Sequence, residues 1–153
     1  MDGLEVAAPA DGKLVEKFQY RFDETRWPLV TIASPGGRDP EAIDQDSFYE
    51  EFHRFSERNE RAFFVHDLRG VQRMDAARRR RFVEWAQLHS PTARKLIIGY
   101  AVVIDSKLMA GVVTAVLWLM RPPAPMRVFS NLADAEAWLF SLDSGLYPSA
   151  KAG

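Results

Sequence analysis

Apolar residues recur along this chain with two different periods, and the switches between them mark out its elements. Residues 18–22, FQYRF, alternate apolar and polar side chains, the pattern of a strand with one wet face. Residues 23–26 predict a hairpin connection. Residues 27–33, WPLVTIA, predict a second strand, which Pro28 restricts to an edge or to the strand's first residues. After the breaker Ser34-Pro35-Gly36-Gly37, Asp39 is the predicted N-cap of a helix with Pro40 at its first position. Phe48, Phe52 and Phe55 supply the apolar stripe of that helix. Residues 62–68, AFFVHDL, read as a third strand, apolar enough to be covered on both faces. The next helix spans about 75–89, with Phe82, Trp85 and Ala86 inward, and Ser90-Pro91 ends it. Residues 96–104, LIIGYAVVI, are the most sheet-like run and predict a central strand. A helix over about 107–120 follows, capped by Asp105 or Ser106, then a short strand at 126–129. Asn131 caps the last helix, whose buried stripe is Ala135, Trp138, Leu139 and Leu142.

The order is β-β-α-β-α-β-α-β-α. Strands alternating with helices predict an α/β fold, with a mostly parallel central sheet, an antiparallel edge hairpin and helices packed on the sheet. The 153 residues suit one domain. We set it at 14–147, between a flexible arm (1–13) and a flexible tail (148–153) that hold no apolar periodicity.

The stretch VHDLRGVQRMDAAR, residues 65–78, runs from a strand through a loop into a helix. It resembles the signature of STAS domains, the anti-sigma-factor-antagonist family: D-L-S-G-V-x-x-(I/M)-D-S-S-G. Asp67, Leu68, Gly70, Val71, Met74 and Asp75 fall on that pattern. The paired serines fall on Ala76 and Ala77, and the following glycine on Arg78. The family's phosphoacceptor position is therefore Ala77, which has no oxygen to phosphorylate. The resemblance implies a bacterial, non-catalytic regulatory or scaffolding domain that docks on a protein partner, a regulator or a serine-kinase-like protein. By the same resemblance the docking surface comprises Asp67, Arg69, Gly70, Asp75 and Arg78, without a phospho-switch at that loop.

Composition narrows this little. Net charge is −1, so no global field recruits nucleic acid. The chain has no cysteine, which excludes disulfides and thiolate metal sites. The opening residues lack the basic start and apolar run of a signal peptide, so we expect a cytoplasmic protein. His53, His66 and His89 have no metal-ligand spacing, and no Walker or dinucleotide loop occurs, so neither metal nor cofactor is expected.

Local readings compete with the docking role. Asp75 also serves as a plain helix cap, and Asp67 and Arg69 as a solvated pair. The run Arg78 to Arg81 points around most of its helix, as expected of a solvated face with salt bridges. An enzyme would have to be built on His66 and Asp67 without a recognised nucleophile. The helix over 107–120 is apolar on nearly every side, yet too short for a membrane span at 1.5 Å per residue. Its surplus apolar surface, with Val113, Leu117 and Trp118, predicts a homodimer or partner interface, or the wall of a pocket for a small apolar ligand or lipid.

Overall fold

The protein is described here from a computed structural model covering residues 5–7, 15–36, 39–71, 75–143 and 145. Met74, most of the expected arm and the tail at 148–153 lie outside the described residues; within the arm, Glu5–Ala7 form a short strand.

In chain order the elements are β1 (Glu5–Ala7), β2 (Val15–Gln19), β3 (Phe22–Arg26), β4 (Leu29–Ala33), a 3-10 turn (Pro40–Ala42), β5 (Ile43–Asp44) and α1 (Gln45–Glu57). Then come β6 (Ala62–Asp67), α2 (Ala76–Leu88), α3 (Ser90–Leu96), β7 (Ile97–Val103), α4 (Lys107–Met120), β8 (Met126–Phe129) and α5 (Leu132–Leu142). The main sheet has the order β3-β4-β6-β7-β8. Only the β3–β4 hairpin at its edge is antiparallel. The expected α/β architecture is therefore present. A second, small sheet joins β1, β2 and β5, with Phe18 and Gln19 of β2 parallel to Ile43 and Asp44.

Three local expectations shift. The hairpin strand lies at 22–26, where a connection was predicted, and the chain turns at Trp27-Pro28 instead. As an edge strand β3 buries only Phe22, so its DETR remainder shows no apolar alternation to read. Pro28 stands just before β4, where its missing N–H breaks no ladder, and its carbonyl accepts from the Phe63 N–H at 2.8 Å. The first helix is capped not by Asp39 but by Asp44, whose carboxylate accepts from the Asp46 N–H at 3.1 Å. Asp39 instead accepts from the Glu41 N–H in the 3-10 turn, and Ile43 is drawn into the bridge with β2. Finally, Ser90-Pro91 ends α2 but also opens α3, Pro being compatible with a first helical turn.

Strand parity divides the core. Phe63, Val65, Ala101 and Val103 face α5, which buries Ala135 and Leu139 against them. Phe64, Tyr100, Val102 and Ile32 face the other side, covered by α1, α2 and α4. There α1 inserts Phe48, Phe52 and Phe55. Ser47, itself buried, ties the start of α1 to the small sheet: its hydroxyl accepts from the Tyr20 N–H at 2.7 Å and donates to the Asp44 carbonyl at 2.6 Å.

Candidate functional site: an apolar cavity with a polar row

Between the sheet and α1, α2 and α4 lies a cavity of about 400 Å³. Its walls are mostly apolar, including Val112, Val113, Val116 and Leu117 of α4, Phe82 of α2 and Phe48 of α1. Its extent follows from side-chain reach. The branched valines of α4 are short, and α2 buries none of its side chains fully, so neither fills the space above β6 and β7.

Polar groups gather on one wall. Strand parity turns His66 to the same side as Phe64, Tyr100 and Val102, beside the cavity. The His66 ring makes two contacts, Nδ1 with the Tyr100 hydroxyl at 2.7 Å and Nε2 with the Ser34 Oγ at 3.0 Å. Ser34 follows β4, fixed by a 3.0 Å bond from its N–H to the Asp67 carbonyl. Tyr20, just beyond β2, has its hydroxyl near enough for the Ser34 side chain to favour its ionised form. All four residues border the cavity. His66 keeps some accessible surface because of that border, while protein surrounds it elsewhere.

Burial sets the protonation of this row. It pushes the His66 pKa down to about 4, outweighing the opposing pull of Asp67, so the ring is neutral. It raises the Tyr100 and Tyr20 hydroxyls, and Ser34 and Arg78 offset part of the rise at Tyr20. On the neighbouring wall the Tyr49 hydroxyl is pushed up to about 12, again mainly by burial. Tyr49 Oη and Gln45 Oε1 are buried at the cavity without a hydrogen-bond partner.

The signature loop reaches the cavity through Leu68 and Val71. Asp67 takes a two-pronged grip from Arg69, at 2.9 Å from Nε and 2.8 Å from Nη2, which chiefly holds its carboxyl below the usual range. Gly70 has φ +88°, and its N–H donates to Asp105 at 3.1 Å. Here the loops after β4 and β6 touch: a Cβ at Gly36 would lie 2.9 Å from the Gly70 Cα. The glycines permit this close approach.

A sequence model of SpoIIAA-like domains matches residues 37–140. The chain belongs to the SpoIIAA-like family. No curated protein matches it. Among solved structures, an uncharacterized protein with a SpoIIAA-like fold from Shewanella loihica is similar at 12% identity, covering 90% of this chain and 92% of that one with a TM-score of 0.45.

In this SpoIIAA-like domain the residues singled out from sequence fall into three groups. Asp67, Arg69 and Gly70 lie in the signature loop, beside the cavity-lining Leu68 and Val71 but not among the cavity's walls. Asp75 caps α2, accepting from the N–H groups of Ala77 at 2.7 Å and Arg78 at 3.4 Å, and Ala77 is exposed. Arg78 bends under α2 to give its Nη1 proton to the Ile43 carbonyl at 3.0 Å, and both Asp75 and Arg78 border the cavity. On α4, Val113 and Leu117 line the cavity, whereas Trp118 points away and is 82% exposed. Of the other arginines in the run, Arg81 pairs with Asp46 at 2.7 Å. His66 and Asp67 do not form a working pair, because their side chains have separate partners. His53 meets Glu57, and the His89 ring meets the Trp85 carbonyl. Among the described residues no cluster could hold a metal and no helix is long and apolar enough to cross a membrane.

Sequence reasoning missed Ser34, Tyr20, Tyr100, Gln45 and Tyr49. One signal was available: His66 and Tyr100 are polar intruders in two of the most apolar strands, where a buried polar group needs a partner.

Proposed function

We propose that this SpoIIAA-like domain binds a small, mostly apolar molecule in the cavity and catalyses no reaction on it. The cavity itself carries the reading. Protein interiors hold few voids larger than a water molecule. A space of about 400 Å³ that is partly open to solvent leaves a mostly apolar lining facing water, at about 25 cal/mol per Å² of apolar surface. Water fills such a space poorly, because most of its lining offers no hydrogen bond. An apolar molecule with one polar group matches both the valine wall and the polar row.

The Ser34–His66 contact resembles a nucleophile and its base, but the chemistry argues against turnover. Taking the Ser34 proton would create an imidazolium in a buried site whose other ring nitrogen meets a tyrosine hydroxyl rather than a carboxylate. The nearest carboxylate, Asp67, is held by Arg69.

The test is native mass spectrometry of gently isolated protein, followed by thermal shift with small apolar probes. Binding should be lost in Val116→Trp, a cavity-filling change. No retained mass, and no shift that Val116→Trp abolishes, would remove the reading.

A second reading, docking on a protein partner, draws support from the outer side of α4, where Leu108, Trp118 and Leu119 are exposed. It would use that surface with Arg69, Gly70, Asp75 and Arg78. A homodimer or partner complex should then weaken in Trp118→Glu. An unchanged mass by light scattering and an unchanged set of captured partners would count against it.

A further inference from the structure

The polar row has one more proton than it can use. Ser34, His66 and Tyr100 each carry one hydrogen-bonding proton when the ring is neutral, three in all, while two contacts join them. Suppose the ring proton is on Nδ1. It then goes to the Tyr100 oxygen, Ser34 donates to Nε2, and the Tyr100 proton is left over. With the ring proton on Nε2, Ser34 accepts it, Tyr100 donates to Nδ1, and the Ser34 proton is left over. The Tyr20 hydroxyl, near Ser34, adds a further proton, so it does not remove the surplus. Among the described residues the Tyr100 hydroxyl has no hydrogen bond other than that to His66.

The other unmatched groups do not absorb this surplus. Tyr49 Oη and Gln45 Oε1 have no hydrogen-bond partner, so neither takes up the spare proton of the row. The row has one O–H donor more than its contacts use, and a buried donor without an acceptor is costlier than a spare hydroxyl lone pair. No cation stands in the row. Burial keeps the imidazole neutral, while Arg78 and Arg79 border the cavity outside the row, Arg78 giving one Nη1 proton to the Ile43 carbonyl.

We infer that the molecule bound in the cavity presents one uncharged hydrogen-bond acceptor, a ketone, aldehyde or ester carbonyl, to the Tyr20–Ser34–His66–Tyr100 row. This rests on the binding reading above. Taking roughly 30 Å³ per non-hydrogen atom, the cavity holds roughly a dozen such atoms.

Three probes of about that size separate the alternatives: butylbenzene, butyrophenone and 4-phenylbutyrate, titrated into the purified full-length protein. Butyrophenone should bind about tenfold tighter than butylbenzene, the effect of one buried hydrogen bond. Its carbonyl stretch should move to lower frequency in the complex, a readout that needs no variant. In Tyr100→Phe or Tyr20→Phe, depending on which end holds the spare proton, the ketone should fall to the hydrocarbon's affinity while the hydrocarbon is unaffected. Equal binding of hydrocarbon and ketone with an unshifted stretch would overturn the acceptor assignment and leave cavity binding standing. A ketone preference that survives both phenylalanine variants would overturn the role of the row. Tightest binding by 4-phenylbutyrate would overturn the uncharged character. If no probe bound, this inference and the binding reading would fall together.

Discussion

On one face of the sheet a single helix, α5, closes the core. Leu139 and Ala135 are fully buried against Phe63, Val65 and Val103, so tightly that a methyl group at Gly99 would run into Leu142 and Leu139. On the opposite face α1, α2 and α4 cover the same strands and leave about 400 Å³ unfilled, with a histidine and three tyrosines at its edge. More covering structure therefore gives poorer filling. The difference lies in side-chain reach: leucine meets a glycine seat on the α5 side, while short valines on α4 face a polar row on the other. A sheet with one close-packed face can leave the second free for a site, because the first already holds the strands in register.

Truncation should divide the two faces most strongly. Leu139→Ala opens a new hole in a filled core and is expected to cost about 2–5 kcal/mol, whereas Val116→Ala only enlarges an existing space and should cost less than about 1 kcal/mol. Urea unfolding of the two variants checks this, and equal losses would erase the contrast. The next effect belongs to acid. His66 has a folded pKa of about 4 against an ordinary 6.5, so between those values the unfolded chain takes up a proton that the folded one refuses. Stability should thus fall as pH drops from 6.5 toward about 4 and level off below. The full effect is at most about 3 kcal/mol, and less where water reaches the ring. Asp67, with its lowered pKa, loses its stabilising charge only at more acid pH, below the usual carboxylate range. The His66 contribution is the slope that disappears in His66→Gln. Asp75→Ala, at the rim, should cost about 1 kcal/mol through the lost cap, read by urea unfolding. Smallest is a gain: Val116→Leu, reaching into the cavity, should add roughly 0.5 kcal/mol while weakening butyrophenone binding.

The close-packed face was the more legible in sequence. Its strands are continuous apolar runs, and Ala135 and Leu139 fall on the predicted stripe. α4 was found with its bounds intact, because Ser106 caps it and Arg121-Pro122-Pro123 stops it. Much of the cavity face was not legible. Ser34, His66 and Tyr100 are 32 and 34 residues apart in the chain and meet only because the parallel strands align Ile32 with His66 and His66 with Val102. No local pattern encodes that register. A void leaves no mark on periodicity either, since Val113, Val116 and Leu117 look like any apolar stripe. The surplus apolar surface of α4 was the one visible trace of it. The signature loop was readable as a family pattern, and its residues make local contacts that the pattern does not spell out: a cap, a two-pronged ion pair and a glycine contact.

Among the walls of the cavity, α2 is the most lightly attached. It has no fully buried side chain and rests on the half-buried Phe82 and Trp85, with polar ties near its start from Gln45 to the Arg78 carbonyl and from Arg81 to Asp46. The free energy needed to lift such a helix locally lies well below that of unfolding the sheet. A molecule held beneath it would therefore leave at a rate set by how often that helix opens, so residence time and affinity could be tuned separately: one by the anchors of α2, the other by the polar row.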